Sequence, residues 1–185
     1  MSNVNSSADD APVERTAQAS DRDTALFNAL DPHAATSTKP WEVEIVSHFL
    51  RRVAAVAVLI IMAAHIFAGA VLDVEFTGAA ITAVDKLAFP AIGLILSVLV
   101  WWGLSRPRVR ANEDGVEVRN IIGTRFYPWV VVYGLTFPRG SRMARLELPE
   151  FEYVPLWAIQ SGDKERAIDS VKEFRRLEAR YMPED

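Results

Sequence analysis

The sequence predicts a two-helix transmembrane hairpin followed by a β-rich domain of about six or seven short antiparallel strands capped by a C-terminal α-helix. Three observations carry the prediction. Residues 53–72 and 87–104 hold 32 apolar residues in 38 positions and no charged side chain, although apolar residues make up an ordinary 50% of the 185-residue chain. Beyond the second window the apolar period changes from helical to alternating. From Asp163 to Met182 it is helical again, with no Gly or Pro.

Residues 1–38 are rich in Ser, Ala, Asp and Thr and carry six acids against two arginines, without the basic and apolar stretches of a secretory signal. They are expected to form a disordered tail. Inside it Leu26, Phe27 and Leu30 follow Asp23 at helical spacing, the pattern of a short segment that binds a partner, although a chance apolar cluster looks the same.

Residues 39–104 are read as a juxtamembrane helix and the hairpin. Thr38 and Pro40 resemble a helix start, Glu42 and Glu44 sit where the helix dipole favours negative charge, and Ile45, Val46, Phe49 and Leu50 form a stripe, so a helix is expected from about Trp41. It crosses Arg51 and Arg52 into the first window, whose twenty residues reach roughly 30 Å, the thickness of the hydrocarbon layer. Trp41, Arg51 and Arg52 suit headgroup depth, as do Trp101 and Trp102 at the end of the second window and Arg106 and Arg108 beyond it. Pro90 is expected in the first turn of the second helix. The connection, residues 73–86, has three acids and one base, whereas both outer flanks are rich in arginine, Arg110 included. The positive-inside rule then places both termini in the cytoplasm of a multi-pass protein of the cell membrane. His65 is the one strongly polar side chain of the first span, either a functional group or an imidazole bonded to a helix carbonyl. Gly93 and Ser97 form a small pair that supports packing within the hairpin.

Residues 105–185 are read as the cytoplasmic domain. Arg108, Arg110 and Asn112 alternate with Val109 and Ala111; Glu113, Asp114 and Gly115 supply a turn; Val116 to Asn120 alternates back. Gly123, the pair Pro128 and Trp129, the turn at Arg139 to Ser141 and the pair Pro149 and Glu150 divide the rest into strands, among them 124–127, 130–137, 143–148 and 153–156. On the last helix Ala167, Ile168, Val171, Phe174, Leu177 and Tyr181 form one stripe. Antiparallel strands closed by such a helix are the pleckstrin-homology (PH) architecture.

Five features in order carry a resemblance: the strand-turn-strand from Val109 to Val116, Pro128-Trp129-Val130, Arg139 to Arg142 before Leu146 to Leu148, Val154-Pro155-Leu156, and Gly162-Asp163 at the start of the last helix. Together they resemble the small bacterial PH-domain membrane proteins of actinobacteria, the low-molecular-weight protein antigen 6 group. The likeness covers about residues 50–181 and implies a fold and a membrane setting, not a reaction.

The residues themselves offer no catalytic set. There is no cysteine and only three scattered His, which leaves no thiolate chemistry and no metal site; no cofactor is implied. Phosphoinositide-binding PH domains need a basic first hairpin loop, and here Glu113 and Asp114 make it acidic. Arg139, Arg142 and Arg145 form a candidate basic patch for an anionic lipid surface or an acidic peptide, or else a solvated rim. The domain's 14 basic and 13 acidic residues give no overall pull on nucleic acid. Trp129 and Trp157 are read as core, with a ligand groove as the rival.

The reading is a non-catalytic interaction module, anchored in the membrane and in contact with its lipids, that binds a lipid or an unidentified membrane-associated protein at the cytoplasmic face. The alternative is an accessory subunit of a membrane enzyme or transporter, packing through the hairpin. A lipid-processing enzyme would have only Glu42, Glu44, His48 and Asp73 to work with.

Overall fold

The computed structural model describes residues 36–71 and 83–182. The tail segment with Leu26 and Leu30, and the loop with Asp73, lie outside the described residues.

The first element differs from expectation. Residues Val43–Val46 form a strand, β1, and not the start of a helix. Val43 and Ile45 are buried while Glu44 is exposed, so the segment obeys the two-residue period of a half-buried strand. The helical stripe of Ile45, Val46, Phe49 and Leu50 is a coincidence of two adjoining elements. What decides for the strand is a partner more than sixty residues away: β1 pairs antiparallel with β2 (Arg108–Asn112), Val46 opposite Arg108 and Val43 opposite Ala111.

Between these paired strands the chain makes two long helices, α1 (His48–Val71) and α2 (Ala83–Ser105). Both are long enough and apolar enough to cross a membrane, and most of their large side chains, such as Leu59, Phe67, Leu94 and Ile95, face outward without protein cover. They pack on each other where α1 or α2 is small: a Cβ on Gly69 would stand 3.0 Å from the Lys86 carbonyl oxygen, and one on Gly93 2.7 Å from the Cβ of His65. Pro90 lies inside α2, past the first turn expected for it, because the helix begins earlier, at Ala83.

The β domain then follows. Sheet order β1-β2-β3-β4 adds β3 (Gly115–Arg119) and β4 (Thr124–Pro128); a second sheet, β5-β6-β7, is built from Gly134–Thr136, Met143–Glu147 and Tyr153–Gln160. The long strand expected over 130–137 is broken: it opens on the end of a 3₁₀ turn, Trp129–Val131, and only Gly134–Thr136 forms strand. The final helix, α3 (Glu165–Tyr181), buries Ala167, Phe174 and Leu177, whereas Ile168 is exposed. Seven antiparallel strands closed by this helix form the PH-like architecture, with Val109, Val116, Tyr127, Leu146 and Leu156 at its centre. The domain is discontinuous in sequence, since β1 precedes the helix pair and everything else follows it.

Candidate functional site

The helix pair and the domain are joined with almost no slack. One residue, Ser47, separates β1 from α1, and two, Arg106 and Pro107, separate α2 from β2. Ser47 caps α1 by accepting the amide of Leu50 at 3.1 Å. Its hydroxyl donates to Asp163 Oδ2 at 2.6 Å, and Asp163 Oδ1 accepts the Phe49 amide at 2.7 Å. A buried carboxylate from the far end of the domain therefore completes the cap of the first helix, where the helix dipole favours negative charge. The expectation that Asp163 starts α3 is corrected: it ends a 3₁₀ turn, Ser161–Asp163, and Lys164, held at φ 53°, turns the chain into α3. Gly162 is small because the Phe49 ring lies on it, 2.5 Å from where a Cβ would be.

Beside this clasp is a cavity of about 280 Å³ lined by Glu44, Val46, Arg51, Trp101, Trp102, Ser105, Arg106, Arg108 and Arg119. Five of the seven residues that sequence assigns to a membrane interface meet here: Arg51, Trp101, Trp102, Arg106 and Arg108. Arg106 stacks on Trp102, its guanidinium carbon 4.7 Å from the ring centre. Trp41 stands apart over Arg110 at 5.8 Å, and Arg52 lies 3.9 Å from Asp163. Arg119 escaped the sequence reading; it enters because the β2–β3 register sets it opposite Arg108, a register that a turn at Glu113 and Asp114 already implies. Glu44, also in the lining, is shared between Arg110, 3.2 Å from its Nε, and Arg108, 3.8 Å from its Nη1.

The basic patch divides. Arg139 and Arg142 are exposed at the β5–β6 turn, whose Arg142 carbonyl accepts the amide of Ser161, next to the clasp. Arg145 instead lies on the outer face of β6, bonded to Glu147 at 3.0 Å and to Thr136 at 3.2 Å, with Tyr153 beneath it. Arg145 belongs to a second cavity, about 470 Å³, lined by Tyr133, Arg145, Glu147, Leu148 and residues 150–153. Its lip is Phe151, fully exposed, and both Glu150 and Phe151 have left-handed φ values, 59° and 63°. Left-handed backbone costs about 1 kcal/mol or more per non-glycine residue, so the ring is held outward against a local preference.

The acidic hairpin turn is occupied by the chain itself. Thr36 donates to Glu117 at 2.8 Å, Ser37 to Asp114 at 2.6 Å, and Lys39 reaches Asp114 at 2.7 Å and Glu113 at 2.9 Å. Residues 36–41 thus form a strap across the sheet, with Thr36 and Ser37 already bonded to the domain. The Lys39 ammonium, followed by the Ser37 hydroxyl, keeps the Asp114 carboxyl below its ordinary range, and Asp114 with Glu113 raises Lys39 above its own. This turn lies at the end of β2 farthest from α2, away from the helix pair.

His65 Nδ1 lies 2.8 Å from the carbonyl of Ile61, one turn back, and its ring covers Gly93, which answers its polarity inside the helix pair. Glu42 is bonded to Tyr181 at 2.7 Å and paired with Arg180, Glu44 is paired with arginines, and His48 begins α1; the described members of the rival catalytic group do not converge. Trp129 is core, donating to the Asn112 carbonyl at 2.8 Å and packing on Phe174; Trp157 is half-buried. No cluster of metal-ligating side chains occurs among the described residues.

Compared with known proteins, residues 106–177 match the family described as Bacterial PH domain. Uncharacterized proteins of Mycobacterium tuberculosis and Mycobacterium bovis are 39% identical to the chain over 144 residues, 78% of this chain and 93% of theirs. No solved structure matches significantly.

Proposed function

The chain belongs to the bacterial PH-domain family, and we propose that it is a non-catalytic interaction module, anchored in the cell membrane by α1 and α2, that holds a protein partner at the cytoplasmic face. The observation that carries this reading is Phe151, an aromatic ring fully exposed on a strained turn beside a cavity with Tyr133 and Tyr153. Glu147, Glu150 and Glu152 rim that cavity against a single arginine, already paired, which suits a partner segment with apolar and basic side chains. Anchoring favours such a contact, because confinement to the membrane surface raises local concentration and lets a weak groove suffice. The arginine-rich flanks of the helices, against an acidic connection, support cytoplasmic termini.

The test is photocrosslinking in cells from a probe at Tyr133, beside a control probe at Glu173 on the exposed face of α3. A discrete adduct from Tyr133 that disappears in Phe151→Ser supports the groove. Equal adducts from both positions, or an adduct indifferent to Phe151→Ser, would overturn it.

A further inference from the structure

The arginine cavity at the junction has a different chemistry from the aromatic groove. Four guanidinium groups, from Arg51, Arg106, Arg108 and Arg119, line it with one carboxylate, and that carboxylate is shared with Arg110. The Nε atoms of Arg106, Arg108 and Arg119 and the hydroxyl of Ser105 are buried without a hydrogen-bond partner among the described residues. Buried donors without partners are costly, and concentrated like charge more so, unless an anion completes the group. The volume equals about nine water molecules at liquid density, enough for a phosphodiester and a small alcohol.

Its location identifies the source of the anion. The cavity is walled by the last turn of α2, with Trp101 and Trp102 exposed where an apolar helix would leave the hydrocarbon layer. Ile121 reaches Gly103 of the same turn, and its neighbour Ile122 is 91% exposed, an apolar contact suited to the acyl boundary. We propose that this cavity is a binding site for the phosphate of an anionic phospholipid in the leaflet at the domain's side, with Arg106, Arg108 and Arg119 as phosphate ligands and the tryptophans against the upper acyl chain. The site is separate from the β2–β3 turn, which is acidic and filled by Lys39. It rests on α1 and α2 lying in a bilayer.

Native mass spectrometry of the full-length protein in detergent tests this, with phosphatidylglycerol, phosphatidylcholine and soluble glycerol 3-phosphate as probes. Phosphatidylglycerol should be retained at least about tenfold more tightly than the other two. Arg108→Gln combined with Arg119→Gln should lower its retention about a hundredfold, roughly tenfold for each charge-assisted bond lost, while Arg139→Gln with Arg142→Gln should leave it unchanged. Equal retention of the two lipids, glycerol 3-phosphate binding as tightly as the lipid, or equal losses in both double variants would overturn the site. Resistance to alkaline extraction from membranes reports anchoring separately, so an anchored protein without the lipid preference contradicts the site alone.

Discussion

Asp163 shows how one side chain can carry a relation between two parts of a molecule. Its carboxylate accepts a hydroxyl and an amide from the first turn of α1, and nothing else in the described domain caps that helix end except Ser47. Removing a serine cap costs about 1 kcal/mol, and a hydrogen bond to a charged group contributes about 1.5 to 3 kcal/mol. Ser47→Ala should therefore lower stability by about 1 kcal/mol and Asp163→Ala by clearly more, both read from thermal unfolding of the detergent-solubilised protein. Equal stability of Asp163→Ala and wild type would mean that the clasp holds nothing. In sequence, Asp163 is indistinguishable from an acid in the first turn of a helix; its target lies 114 residues earlier, beyond any local pattern. The same holds for Phe151, whose exposure depends on a backbone conformation that its residue type does not signal.

At the scale of elements, what was legible was periodic. The two apolar helices, the hairpin through Gly115 and the α3 stripe through Phe174 each repeat over enough residues to exclude another structure. β1 was not legible, because Ile45 and Val46 also fall on a helical stripe with Phe49 and Leu50 of the next element, and only pairing with β2 decides for the strand. The strap was hidden by its polarity, since Thr36, Ser37 and Lys39 bury little and are held by hydrogen bonds and charge.

That makes the strap sensitive to pH, with a definite sign. Asp114 titrates lower when docked than its ordinary 3.8, so its contribution is present above that value and lost as pH falls through the lowered one. Lys39 is shifted upward from 10.5, so its contribution is complete below that value and lost as pH rises through the raised one. Between these limits docking is complete. Because the chain has no cysteine, a spin label at Thr38→Cys reports only this segment. It should be immobile at neutral pH, mobile in strong acid, and mobile at all pH in Lys39→Ala; a label indifferent to acid and to Lys39→Ala would contradict the docking.

At the scale of the whole molecule, the helix pair is an insertion between two neighbouring strands of one sheet. Folding the domain brings residues 46 and 108 together and so fixes both ends of the pair, while the clasp ties the first turn of α1 to the domain. The two proposed sites then lie apart on one small fold, the junction cavity beside the helix pair and the aromatic groove at the Phe151 turn. It follows that residues 106–182 alone are an incomplete domain: without β1 the edge of β2 is open and Val109 and Ala111 lose their neighbours Ile45 and Val43.

Joining Val46 to Arg108 through Asn-Gly, in a chain of residues 36–46 and 108–182, replaces the helix pair with a two-residue hairpin turn suited to an antiparallel pair. The decisive measurement is the amide NMR spectrum and thermal melt of this chain beside residues 106–182. Dispersed resonances and a cooperative melt are expected for the joined chain only; equally cooperative folding of residues 106–182 would mean that β1 does not complete the domain across the helix pair.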